Sequence, residues 1–194
     1  MNIVDRAKNI LIQPSAEWEV IKAEKLTVAE MFTQYAIILA AIPAIAGFIG
    51  NSIIGHAAFS LYGRTPVFAG LIQAVFMFML SLGGVYLMAY IIDMLAPSFG
   101  AGKNMEDSMK VAVFSWTASW IAGIFAILPP ISWLSIVGLY SLYLLYLGMR
   151  IIKEPPADKL VGYFVVSLVV AIIIYVIIGL IVGAIMAIVY AIMR

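Results

Sequence analysis

The stretch from Trp133 to Lys159, WLSIVGLYSLYLLYLGMRIIKEPPADK, decides how this chain is built. It is apolar up to its close at Gly148 and Met149, with Tyr140, Tyr143 and Tyr146 at three-residue steps. It then breaks into Arg150, Lys153, Glu154, the pair Pro155–Pro156, Asp158 and Lys159. An uninterrupted apolar run of about 20 residues is what a helix needs to cross a hydrocarbon core of about 30 Å. The run reads as a membrane span with a charged edge, and every other apolar segment takes its direction from that edge.

Working outward, composition agrees. Of 194 residues, 65% are apolar and 11% charged, whereas soluble domains sit near half and a quarter. Continuous runs such as Leu160 to Met193 exclude a membrane β-barrel, whose strands alternate. The fold class expected is all-α: a polytopic five-helix transmembrane bundle preceded by an interfacial amphipathic segment. A net charge of +1 offers nothing for a nucleic-acid partner. With no Cys there is no disulfide, thiol nucleophile or Cys-ligated metal. The apolar stretch Ile10–Ile12 is too short for a cleavable signal peptide, so the first span is expected to act as the insertion signal.

Residues 1–26 form the amphipathic segment and 27–194 the membrane domain. Ile3, Val4, Ala7, Ile10 and Leu11 share one helical face. Pro14 ends that helix, and Ser15 is a candidate N-cap for a second one carrying Trp18. Two readings stay open: an interfacial anchor with Pro14 at its bend and Trp18 at the headgroups, or a helix pair packed on the protein's own loops. Thr27 and Glu30 form a capping box at the head of the first span. The spans are expected near 31–54, 67–92, 108–128, 132–152 and 160–190. Pro43 is expected to kink the first, and Asn104 is a candidate N-cap for the third. Small residues recur at packing intervals: Ala36, Ala40 and Ala44; Ser115, Ser119 and Gly123; and Gly179, Gly183 and Ala187. The last set reads as a helix-packing or oligomer face.

Lys and Arg set the orientation. Nine fall on one side (Arg6, Lys8, Lys22, Lys25, Lys103, Lys110, Arg150, Lys153, Lys159) and two on the other (Arg64, Arg194). The positive-inside rule then places the N-terminus in the cytoplasm and the C-terminus outside a bacterial inner membrane, across five spans.

Chemistry-bearing residues are few. His56 stands alone, with no Cys to join it in a metal site and no activated serine beside it. Asp93, near the C-terminal end of the second span, opposes the helix dipole and needs a partner. Lys110 and Arg150 share its membrane face, and Tyr86 and Tyr90 lie near it on the helix. The cluster reads either as a gate for an ion or small solute or as a structural salt bridge. The tyrosine stripe of the fourth span reads as a pathway lining or as packing residues with polar tips. No catalytic cluster and no cofactor are expected.

Three motifs carry a resemblance: Leu11-Ile12-Gln13-Pro14 with Trp18, Ala41-Ile42-Pro43, and Tyr140-Ser141-Leu142-Tyr143-Leu144-Leu145-Tyr146-Leu147-Gly148 followed by Pro155 and Lys159. On these the chain resembles the Yip domain family, the Ypt/Rab-interacting membrane proteins, in their short bacterial form. The resemblance implies five spans and a cytoplasmic N-terminus. Eukaryotic members bind Rab-type GTPases, but their Asp-Leu-Tyr-Gly-Pro motif is absent here, so a small-GTPase partner is not implied. The expected function is a non-enzymatic scaffold or adaptor in the bilayer, binding a membrane protein or a second copy of itself. The alternative is a small-solute or ion transporter or channel that uses the Asp93 region.

Overall fold

A computed structural model describes residues 2–55 and 65–192, with side-chain surroundings given as far as Ile177. His56, Arg64 and Arg194 lie outside the described residues, and so do the side-chain surroundings of Gly179, Gly183 and Ala187. The described residues form helices only. Two short ones, α1 (Ile3–Ile12) and α2 (Pro14–Ala23), precede five that are long and apolar enough to cross a membrane. These are α3 (Val28–Ile54), α4 (Val67–Phe99), α5 (Met105–Ile127), α6 (Pro129–Lys153) and α7 (Ala157–Ile192).

The helix starts follow local chemistry. Asn2 caps α1 by accepting the amides of Val4 and Asp5 at 3.0 and 3.4 Å. The capping box opens α3: the Thr27 hydroxyl accepts from the Glu30 amide at 3.2 Å, and Glu30 accepts from the Thr27 amide at 2.9 Å. Asn104 caps α5 through the amides of Glu106 and Asp107. The start of α2 differs from expectation. Gln13, not Ser15, precedes it, and Pro14 is its first residue. Proline has no amide to leave unpaired there, and its fixed φ suits a first turn.

Helix α5 is the hub. Of its most apolar stretch 56% is buried, against 22–33% for the other four spans. It packs against α3, α4 and α6, and α1 lies against its middle. Lipid tails are as apolar as leucine, so helices associate in a membrane by close fit rather than by hydrophobic exclusion. Small residues supply that fit. A Cβ on Gly123 of α5 would stand 2.5 Å from the Cβ of Pro43, so the ring of α3 sits directly over that glycine. Pro43 stays within a continuous helical run, flanked by wider π turns over Phe32–Ala36 and Ile49–Ile54. Helix α6 starts as a 3₁₀ helix over Pro129–Leu139 and becomes α-helical from Tyr140. The last helix, α7, packs on α4.

The α1–α2 pair settles the choice left open for Trp18. Its indole is fully buried, edge-on to Phe114 at 6.5 Å and seated over Gly148 of α6. The headgroup-anchor reading for Trp18 is therefore corrected, and half-buried Pro14 serves as the bend between two helices packed on the bundle. The physical reason is Gly148: with no side chain there, α6 leaves a socket the size of an aromatic ring.

Candidate functional site

All the ion pairs among the described residues gather at one end of the bundle, where α3, α5 and α7 begin and α4 and α6 finish. Asp93, six residues before the end of α4, is buried there. Its counter-charge is Lys153, the last residue of α6, whose ammonium lies 3.9 Å from the carboxylate with 1% of the side chain exposed. Lys153 also donates to the Ser108 hydroxyl at 3.0 Å and to the Asn104 carbonyl at 3.3 Å. The Ser108 hydroxyl stands 3.3 Å from Asp93 and 2.9 Å from the Asn104 carbonyl, and its single proton serves one of them at a time. Tyr163 of α7 donates to the carbonyl of Ile92. One ammonium, one carboxylate and two hydroxyls thus tie α4, α5, α6 and α7 together. The positive charge at the finish of α6 also suits the dipole of that helix.

A second cluster fastens the N-terminal helices. Arg6 of α1, buried, donates to Glu17 at 2.7 Å and also to Glu24, both beyond the α1–α2 bend. Its guanidinium lies 5.7 Å from the centre of the Phe114 ring. Tyr35 of α3 also packs on Phe114, at 4.9 Å, with its hydroxyl 2.8 Å from that of Thr117. Lys22 at the end of α2 bridges to Glu154 at 2.5 Å, and this hydrogen bond holds its ammonium above the usual lysine range. Glu154 adopts a left-handed backbone, φ 45°, which ends α6 just before Pro155–Pro156.

Of the residues expected to surround Asp93, none does. Lys110 turns to Asp107, one helical turn back at 3.4 Å, and to the Lys22 carbonyl at 3.5 Å. Arg150 is exposed on α6. Tyr86 and Tyr90 are 51% and 54% exposed on α4, where an amphipathic ring facing a membrane boundary needs no buried partner. The sequence reading missed Lys153, Ser108 and Tyr163. The signal for Lys153 was its place at the very end of a span that finishes at the same face as the span carrying Asp93. The tyrosine stripe separates into different surroundings: Tyr140 donates to the Leu11 carbonyl at 3.3 Å, Tyr146 packs edge-on to Phe164, and Tyr143 is exposed. No group of three or more His, Asp or Glu able to hold a metal occurs among the described residues.

Known proteins resemble this chain along most of its length. The Yip1 domain matches residues 8–181, a range that takes in the Asp93–Lys153 clasp and the Trp18 socket. The inner membrane protein YohC of Escherichia coli, in two strains, is 30% identical over 141 residues, covering 70% of this chain and 72% of the relative. No solved structure matches it. With five membrane-crossing helices and a domain match of this extent, the chain is an integral inner-membrane protein that belongs to the Yip1 domain family.

Proposed function

We propose that the protein is a non-enzymatic membrane scaffold or adaptor, with its charged end and N-terminus in the cytoplasm, that binds another membrane protein or a second copy of itself. The observation that supports this reading is the outward face of the docked α1–α2 pair. Its inner face is spent on Trp18, Ile10, Ile21 and the Arg6 cluster, yet Val4, Ile12 and Val20 stay exposed among Asp5, Lys8 and Glu19. A rigidly held surface of apolar residues set among charges is what a protein partner recognises. The buried charges speak for the same reading, because Asp93 and Lys153 neutralise each other inside the fold.

The test is crosslinking and mass spectrometry in native membranes, comparing the unaltered chain with a Val4→Glu/Val20→Glu variant. These two positions leave the Trp18 socket untouched. The expected result is one stoichiometric partner, or a crosslinked dimer, that the variant loses. Native membranes yielding neither for the unaltered chain would refute the proposal. The transporter alternative predicts a solute flux in proteoliposomes that Asp93→Asn abolishes; the scaffold reading expects flux equal to that of empty vesicles.

A further inference from the structure

Below the Asp93–Lys153 clasp a cavity of about 400 Å³ lies between α4, α5, α6 and α7. Its volume falls within the roughly 300–1,000 Å³ of small-molecule sites. It exists because α7 follows α4 rather than α6: α7 meets α6 near the charged end, where Tyr146 packs on Phe164, and the two helices part beyond that contact. Met88 of α4 and Ser115, Trp116 and Ser119 of α5 form the back wall. The serine hydroxyls there are already committed, Ser115 to the Val111 carbonyl at 2.5 Å and Ser119 to the Gly138 carbonyl at 3.0 Å. With those two hydroxyls turned to backbone carbonyls, the lining that remains is predominantly apolar.

The mouth decides the occupant. Ile136, Leu139 and Leu142 of α6 and Ile172 of α7 line the cavity and are themselves exposed on the outer surface, at 63%, 62%, 42% and 59%. The cavity is thus continuous with the lipid-facing surface of two spans, and what reaches it in a bilayer is hydrocarbon. Its length fits as well. From Ser135 to Leu145 the α6 wall runs about 15–20 Å, at roughly 1.5–2.0 Å per residue. Half of a hydrocarbon core is about 15 Å. We propose that this cavity is a binding site for one acyl chain of a membrane phospholipid, held between α6 and α7. A chain seated there completes the packing of α7 against α5 and α6 that the helices do not achieve by themselves.

The proposal does not depend on the scaffold reading. It is tested by native mass spectrometry of the full chain, extracted from its own membrane in a mild detergent. The expected result is one phospholipid retained per chain. Leu142→Trp fills the mouth from the exposed side and Ala171→Phe fills the interior, and each is expected to lower lipid occupancy by about tenfold. Ile173→Trp, exposed on α7 outside the cavity, keeps the lipid. Since Ala171→Phe risks misfolding, Leu142→Trp decides the matter alone if its thermal midpoint equals that of the unaltered chain. An unaltered chain without lipid overturns the proposal, and so does equal occupancy in Leu142→Trp. A lipid-free dimer would also overturn it, with a second copy as the occupant.

Discussion

Lys153 sits where a helix stops, so its ammonium reaches sideways into the gap between α4 and α5 instead of outward to water. Nine-tenths or more of both Lys153 and Asp93 side chains are removed from solvent, which makes each the condition for the other's burial. Asp93→Asn alone strands the ammonium, and Lys153→Met alone strands the carboxylate. Either change is expected to cost about 3–5 kcal/mol of stability. The Asp93→Asn/Lys153→Met double variant recovers more than half of that loss, because no uncompensated charge remains. Thermal unfolding of the four proteins in detergent measures this, and strictly additive losses would dissolve the pair as an energetic unit. The pairing was hidden in the sequence for a physical reason. Arg150, Lys153 and Lys110 carry the same charge at the same membrane face, and only the way α6 ends beside α4 and α5 selects among them.

At the scale of elements, the α1–α2 pair is part of the core. Gly148 of α6 accepts the Trp18 ring so closely that a Cβ would stand 2.7 Å from the indole. The ring cannot retreat, since Phe114 lies edge-on beside it. Gly148→Leu is therefore expected to expel Trp18, costing about 1–3 kcal/mol from overpacking. A red shift of tryptophan emission should accompany the loss as the indole meets water. Unchanged emission and stability would mean that the socket is not needed. Local chemistry made some elements legible: the Thr27–Glu30 box and the Asn104 cap act within one turn, so sequence alone carries them. Trp18 was not legible in that way. An aromatic residue near the start of a membrane protein looks the same whether it rests among headgroups or over a glycine more than a hundred residues away. The partner of the Pro43 ring, the bare backbone of Gly123, was likewise not legible in the sequence.

For the molecule as a whole, the five spans were readable because hydrocarbon thickness sets a length that apolar runs must satisfy, and α3 to α7 satisfy it. The proposed cytoplasmic side rests on the distribution of Lys and Arg. The absence of Cys makes this directly measurable, since each introduced thiol is the chain's only one. Lys8→Cys and Lys103→Cys, both exposed at the charged end, are expected to react with a membrane-impermeant maleimide only after cells are opened. Ser132→Cys in the opposite turn should react in intact cells. The reverse pattern would invert the topology.

The crowding of every described ion pair at one end has a mechanical consequence. Charges fix the register of the helices there, whereas the rest of the bundle is held by neutral contacts, among them the hydrogen bonds of Trp120 to Ser81, Ser119 to Gly138 and Tyr35 to Thr117. A bilayer that thins or thickens changes the preferred tilt of each span. Because the ionic ties lie at one end, a tilt change imposed by the bilayer is expected to displace the opposite ends of the spans more than the clasped ones.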